Sequence, residues 1–185
     1  MNAVQWLVLV IGAGWIVWLS RYALWHPGCH GFYRFFALLA ILALIVINLP
    51  YWFVESYYSL RRVSATVLLF VSLFLVLAGV WQLWRQGRPG ANRRDPGLAG
   101  FETTRYLVTT GVFSWIRHPM YASLLFLTWG VLLKQPSLPG FVLALTATGF
   151  LVLTALADER ECQAWFGDAY RDYCRRSWRF IPGLW

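Results

Sequence analysis

Charged residues are scarce in this sequence. They make up 13% of its 185 residues, and only eight of them are acidic. A soluble globular domain usually carries about 25% charged residues, so the composition argues against that class of protein. Apolar residues take their place, accounting for 59% of the chain, and twelve residues are tryptophan. This composition is typical of an integral membrane protein.

Cysteine is equally scarce, and the three that occur form no Cys-x-x-Cys motif. An odd number of cysteines argues against a disulfide framework, so we expect free thiols. His26, Cys29 and His30 bring three potential metal ligands into one short loop. A structural zinc site needs more ligands than these, so no metal is predicted.

Acidic residues are outnumbered two to one by basic ones, and the formal net charge is +8. A protein that binds nucleic acid would gather its basic side chains along one exposed face. Here they lie in loops beside apolar runs, which is the pattern of membrane topology. We therefore expect a lipid bilayer around the chain and no nucleic-acid partner.

Five apolar runs divide the chain, at residues 3–19, 35–54, 63–84, 120–133 and 138–156. A spanning helix needs about 20 apolar residues, which the second, third and fifth runs meet and the fourth does not. Two prolines and a glycine between the last two runs force a helical hairpin. The predicted fold is an all-α integral membrane protein with about five transmembrane helices, the last two a hairpin, and a C-terminal amphipathic helical cap.

We expect one membrane domain in four sections: three spans in 1–84, a cytoplasmic loop in 85–119, the hairpin in 120–157 and a cytoplasmic tail in 158–185. Apolar side chains recur every three or four residues from Cys162 to Cys174, which predicts a helix lying at the membrane surface. Gly167 is expected to break this helix into two.

The distribution of positive charge predicts the orientation. With five spans, thirteen of the sixteen Lys and Arg residues lie on the side of the first loop, the third loop and the tail. We predict a multi-pass protein of a bacterial inner membrane, with its N-terminus outside and its C-terminus in the cytoplasm. The N-terminus lacks the features of a cleavable signal peptide, so the first run is expected to be retained, either spanning or lying in the interface.

Ionisable residues gather at the entrance of the fourth run and at the end of the fifth. Arg117 and His118 precede Pro119, and a proline can begin a helix but not continue one. Asp158 and Glu159 follow the fifth run, and the hairpin should bring them to the same membrane face as Arg117. Such a cluster either stabilises the interface or binds a ligand of mixed charge, of which S-adenosylmethionine is one example.

Two linked motifs occupy this part of the chain. The first is LVTTGVFSWIRHPMY at 107–121; the second joins DERE at 158–161 to FGDAYRDY at 166–173, and RFIP follows at 179–182. Together they resemble the isoprenylcysteine carboxyl methyltransferases and the related phospholipid methyltransferases, over about residues 105–182. The resemblance implies a membrane methyltransferase that converts S-adenosylmethionine to S-adenosylhomocysteine without a Rossmann fold. Consistently, no Gly-x-Gly-x-x-Gly follows a predicted strand.

The resemblance also implies roles for individual residues. Arg117 and Glu159 would be the catalytic pair, with Arg117 positioning or polarising the acceptor. Glu159 would be the base for an acceptor that must lose a proton, and His118 the second choice. The tail would cover the cofactor, and a lipophilic or small acceptor would arrive from the bilayer. The cofactor site would comprise Arg105, Tyr106, Leu107, Val108, Phe113, His118, Pro119, Met120, Tyr121, Asp158 and Glu159.

Two departures from the family pattern bear on the acceptor. Asp158 stands where the family usually has glutamate, and residues 154–156 lack an arginine expected to help hold a substrate carboxylate. The acceptor therefore stays open between a carboxylate, an amine and a thiol, and the oligomeric state is not predicted. Two other functions remain possible: a sterol-reductase-like enzyme that uses NADPH, and a non-catalytic membrane scaffold of the same fold.

Overall fold

The computed structural model describes residues 2–51, 59–87 and 104–184, so residues 88–103 of the predicted cytoplasmic loop lie outside the described residues. Within these ranges the chain is helical and has no β-strand, as predicted. Short 3-10 turns occupy Ala23–Trp25, Leu49–Tyr51 and Gly111–Ser114. The helices are α1 (Ala3–Ser20), α2 (His30–Asn48), α3 (Leu60–Gln86), α4 (Pro119–Lys134), α5 (Leu138–Phe166) and α6 (Asp168–Cys174).

Four of these helices are long and apolar enough to cross a membrane: α1, α2 with its following turn, α3 and α5. The helix α4 is apolar but has only 16 residues, fewer than the ~20 that a span needs. The structure thus supports four of the five predicted spans. The fifth span, the cap and the orientation in the membrane stay predictions.

Two helix boundaries differ from the limits of the apolar runs. The helix α2 begins at His30, ahead of the predicted start at residue 35, and its regular turns end at Asn48. The end has a simple cause, because Pro50 has no backbone N–H with which to continue the helix. The last residues of the predicted run, 52–54, lie outside the described part of the chain.

The other difference concerns α5, which does not stop at residue 156, where its apolar run ends. It continues to Phe166, because no glycine or proline interrupts residues 156–166. The chain turns at Gly167, whose φ of +60° is a conformation that favours glycine, and α6 follows. The predicted break at Gly167 is confirmed. Asp158 and Glu159 therefore lie within a continuous helix and not at the start of a separate tail.

The helices pack in two main pairs, α4 against α3 and α5 against α2. Small side chains fill the centre, where Ala122, Ala147 and Ala155 are completely buried around Leu151. Small residues let apolar helices approach closely without strain. The N-terminus of α4 and the last turns of α5 consequently lie together at one end of the bundle, called the site end below.

Candidate functional site

The entrance to α4 is held by the C-terminal segment. The backbone N–H of Arg117 donates to the carbonyl of Trp178 at 2.7 Å, and that of His118 donates to Arg179 at 3.2 Å. In return, the N–H of Trp178 donates to the carbonyl of Trp115 at 2.9 Å. This short parallel pairing of backbones places two arginines, Arg117 and Arg179, beside the end of α5.

Glu159 lies at the centre of a cluster of basic side chains. Its Oε1 accepts hydrogen bonds from Nε of Arg117 at 3.1 Å and from Nε of Arg179 at 2.9 Å. Its Oε2 accepts a third from Nη2 of Arg179 at 2.8 Å, and Nε2 of His118 lies 3.3 Å from Oε1. Bidentate arginine–carboxylate pairs are strong and geometrically specific. The predicted proximity of Arg117 and Glu159 is confirmed.

Arg117 is tied to the C-terminal segment through a second nitrogen. Its Nη1 donates to the backbone carbonyls of Cys174, at 2.9 Å, and Ser177. The side chain is only 9% exposed. Its remaining nitrogen, Nη2, has no hydrogen-bond partner among the described residues. Because a guanidinium carries donors on all three nitrogens, Arg117 still has N–H groups to offer a ligand.

His118 is buried between two carboxylates. Its Nδ1 lies 3.5 Å from Oδ2 of Asp158, opposite the contact with Glu159, and its ring stacks on Tyr121 at a centroid distance of 5.3 Å. Burial by itself would lower the pKa of His118. The hydrogen bonds with Asp158 and Glu159 outweigh burial, and the pKa is raised above the ordinary value of 6.5. His118 therefore keeps its charged imidazolium form to a higher pH than a free histidine does.

A cleft opens beside this cluster, bounded by α3, residues 107–121, α5 and α6. Its empty volume is about 650 Å³, a figure that includes the space open to solvent. Apolar and aromatic walls with a few charged groups are typical of small-molecule sites. The cleft is lined by Leu83, Thr104, Leu107, Val108, Phe113, Arg117, His118, Pro119, Met120, Tyr121, Asp158, Cys162, Phe166, Tyr170 and Tyr173.

Most residues of the predicted cofactor site line this cleft, including all of those in 118–121. Glu159 does not line it but contacts Arg117 and His118, which do. Arg105 and Tyr106 are exposed and do not line it. Their backbone N–H groups donate to the carbonyl of Gly87, so both residues fasten the segment to the end of α3. Cofactor binding by the cleft stays a prediction.

Arg179, Tyr170 and Tyr173 belong to the cluster or the cleft but were absent from the predicted site. Burial raises the pKa of both tyrosines, so they stay neutral, and the hydroxyl of Tyr173 donates to the carbonyl of Phe113 at 2.6 Å. Their signal was present in the FGDAYRDY and RFIP motifs. Arg179 supplies a second guanidinium beside Glu159.

A second polar pair joins the start of α2 to α5. Oε1 of Glu161 accepts from the backbone N–H of His30 at 2.8 Å, and Oε2 lies 2.5 Å from Nδ1 of the same residue. Glu161 thereby caps the N-terminus of α2. The residue at the N-cap position, Cys29, makes no capping hydrogen bond through its own side chain. His30, Glu161 and Asp158 could approach a metal ion, but both oxygens of Glu161 are engaged with His30. His26 and Cys29 are not part of this group.

The fold and the cleft define a class: a multi-pass helical membrane protein with a cleft of apolar, aromatic and a few charged side chains at one end of its bundle. The sequence model of the phospholipid methyltransferase family matches residues 60–168, more than half of the chain. The chain belongs to the phospholipid methyltransferase family. The resemblance found in the sequence motifs is thereby confirmed.

One similar protein belongs to a different class of enzyme, a sterol reductase. The Delta(14)-sterol reductase of Mus musculus is 32% identical over 99 residues, a match that covers 49% of this chain and 24% of the reductase. The chain therefore spans about a quarter of the length of that relative. No solved structure gives a significant match.

Proposed function

We propose that this protein is a methyltransferase that transfers the methyl group of S-adenosylmethionine to a lipophilic or small acceptor within the membrane. Membership of the phospholipid methyltransferase family supports this. The observation that carries the proposal is the cleft, which is lined by residues of the Arg-His-Pro motif and lies beside the Arg117–Glu159 pair.

The side chains of the cleft suit this cofactor. Phe113, Tyr121 and Tyr170 present aromatic surface, which can pack on a purine or face a sulfonium cation. Asp158 offers a carboxylate to an ammonium or hydroxyl group, and Arg117 offers N–H donors to a carboxylate. When bound, S-adenosylmethionine supplies a methyl group activated by the positive sulfur.

The chain's own contribution is alignment and exclusion of water. Glu159 fixes the guanidinium groups of Arg117 and Arg179, and the Tyr173–Phe113 hydrogen bond fixes α6 over residues 111–114. A rigid wall of this kind holds two reactants in line, which accounts for much of the rate of a displacement reaction. Burial of these groups also removes water from the reacting atoms.

An apolar groove on the other side of residues 111–116 gives an acceptor a route from the bilayer. Its empty volume is about 1220 Å³ on the same measure as the cleft, and Val71, Phe74 and Phe180 are among its walls. Ile116 also lines it and directly precedes Arg117. A lipophilic acceptor in the groove would therefore lie close to the proposed reacting centre.

Calorimetric titration of the protein in detergent tests the proposal. S-adenosylhomocysteine should bind and NADPH should not, and Arg175→Ala, at a side chain 80% exposed to solvent, should bind as wild type does. The Delta(14)-sterol reductase match makes an NADPH-dependent reductase the second candidate. Binding of NADPH without binding of S-adenosylhomocysteine would establish that candidate and reject the methyltransferase.

A further inference from the structure

Three basic residues meet at the end of the bundle opposite the site end, called the far end below. The predicted topology puts thirteen of the sixteen Lys and Arg residues on the side of the cleft, which leaves Arg61, Arg62 and Lys134 for the other side. The two arginines lie in the first turn of α3, and Lys134 ends α4. The positive-inside rule makes basic residues uncommon on this side of a membrane protein, so their convergence needs a physical reason.

Arg61 has a structural reason to be there. Its Nη1 donates to the backbone carbonyls of Leu133, at 3.0 Å, and Lys134, at 2.9 Å. The last carbonyls of a helix have no partner within the helix, and basic side chains often satisfy them. Arg61 therefore fastens the end of α4 to the start of α3. This explanation does not extend to the side chains of Arg62 and Lys134.

Arg62 and Lys134 line a small pocket at the far end. Its empty volume is about 320 Å³ on the same measure as the cleft, and its other walls are Tyr51 and Thr66. All four side chains carry hydrogen-bond donors, two of them charged and two of them hydroxyls. The described part of the pocket wall contains no acidic side chain. This donor set matches the oxygens of a phosphate group, which both guanidinium and ammonium groups bind well.

The surface of α3 below the pocket is apolar. Arg62 and Thr66 lie one turn apart, and the same face continues with Phe70, Leu73 and Leu77 at helical spacings of three and four. These three side chains are 67%, 52% and 61% exposed. A free phosphate ion has no use for such a surface, whereas the acyl chain of a phospholipid would lie along it. Basic pockets between membrane helices are known to bind lipid headgroups.

We propose that the far end binds the phosphate group of a phospholipid from the surrounding leaflet. Arg62 and Lys134 hold the phosphate, Tyr51 and Thr66 donate to it from their hydroxyls, and an acyl chain lies on the apolar face of α3. The site goes beyond the proposed methyltransferase function, because it lies at the opposite end of the bundle from the cleft. The bound lipid joins the turn that follows α2 to α3 and α4 and is not itself a substrate.

Binding of defined lipids to the protein in dodecyl maltoside, followed by native mass spectrometry, tests the proposal. Dioleoylphosphatidylglycerol should bind at least about tenfold more tightly than dioleoylglycerol, which has the same chains and no phosphate; this is the value of one hydrogen bond to a charged group. Equal binding of the two lipids would overturn the proposal. If inorganic phosphate binds as tightly as the phospholipid, the site takes free phosphate and the lipid assignment is wrong.

Substitutions at the pocket locate the binding. Arg62→Gln and Lys134→Gln should each weaken phosphatidylglycerol binding about tenfold. Arg175→Gln makes the same change in net charge at the site end and should leave the binding unchanged. Tyr51→Phe and Thr66→Val keep both charges and should weaken the binding about fivefold each, which provides the test if a charge variant fails to fold. Equal effects of the pocket variants and the Arg175 variant would mean that only net charge matters, and would contradict the proposal.

Thermal unfolding gives an independent measurement. Phosphatidylglycerol should raise the melting temperature of the wild-type protein by mass action, and Lys134→Gln should lose this shift while keeping its affinity for S-adenosylhomocysteine. Glu55 lies in the segment 52–58, outside the described residues. Because the proposal gives Glu55 no part in holding the phosphate, Glu55→Gln should not weaken lipid binding. A loss as large as that of Lys134→Gln would overturn the proposed donor set.

Discussion

The helices α1 and α5 are both long and apolar, yet they occupy opposite situations in the molecule. In the most apolar 18-residue stretch of each helix, 11% of the residues are buried in α1 and 39% are buried in α5. Large side chains such as Leu7, Trp15 and Trp18 of α1 point outward, which suits contact with lipid. The helix α5 packs in the core and then carries Asp158 to the cleft and Glu159 to the basic cluster beside it. Apolar length alone therefore does not distinguish a helix that faces lipid from one that builds the site.

Among substitutions in α1 and α5, the largest loss of stability and activity should come from removing the carboxylate of Glu159 in α5. Glu159→Gln leaves the nearly buried Arg117 and Arg179 without their counter-charge, which typically costs about 3–5 kcal/mol. We expect a lower melting temperature in detergent and a large loss of methyl transfer. Gln5→Leu, at the polar contact of α1, is the matched variant and should retain activity. A fully stable and active Glu159→Gln protein would refute the assigned role of the cluster.

Truncation of an apolar side chain should give the next largest difference. Leu151 of α5 is completely buried and Leu7 of α1 is 60% exposed. A cavity left by Leu151→Ala should cost about 2–5 kcal/mol, whereas Leu7→Ala should cost far less because it leaves no cavity. Thermal unfolding of the two variants in the same detergent measures the contrast. Equal losses of stability would mean that α1 is packed in a way that this structure does not describe.

A smaller difference should appear in the pH dependence of stability. Because the pKa of His118 is raised in the folded protein, the imidazolium contributes stability that is fully present below about pH 6.5, its ordinary pKa. That contribution should fade as the pH rises through the raised pKa. His118→Gln should remove this part of the profile, whereas variants of α1 should keep it, since residues 3–20 contain no ionisable side chain. An unchanged profile in His118→Gln would contradict the assignment.

The smallest effect should come from the attachment of α1 to α2. The side-chain nitrogen of Gln5 donates to the carbonyl of Val46 at 2.9 Å. Its loss in Gln5→Leu should cost about 0.5–1.5 kcal/mol, with no change in S-adenosylhomocysteine affinity. A large loss of affinity in this variant would show that α1 influences the cleft, against the contrast drawn above.

The sequence predicted the features that depend on local patterns. The apolar runs located the helices, the break at Gly167 followed from glycine chemistry, and the hairpin predicted the contact of Arg117 with Glu159. It did not predict contacts that depend on how distant segments fold back. Arg179 reaches Glu159 only because the C-terminal segment pairs with residues 115–118. Likewise, His30 meets Glu161 across 131 positions, and no periodicity encodes such a pairing.

The length of α5 was missed for a different reason. A hydropathy pattern locates the part of a helix that lies in the membrane, and it ends where charged residues begin. The helix itself ends where the backbone is interrupted, at Gly167. The two carboxylates that α5 contributes to the candidate site, Asp158 and Glu159, lie in the interval between those two points.

The most direct test of the account is a structure of the protein bound to S-adenosylhomocysteine in a lipid environment. The account predicts the ligand in the cleft, in contact with Phe113, His118 and Tyr121, with Glu159 still held by Arg117 and Arg179. A ligand bound elsewhere, or a cleft filled by NADPH instead, would contradict it.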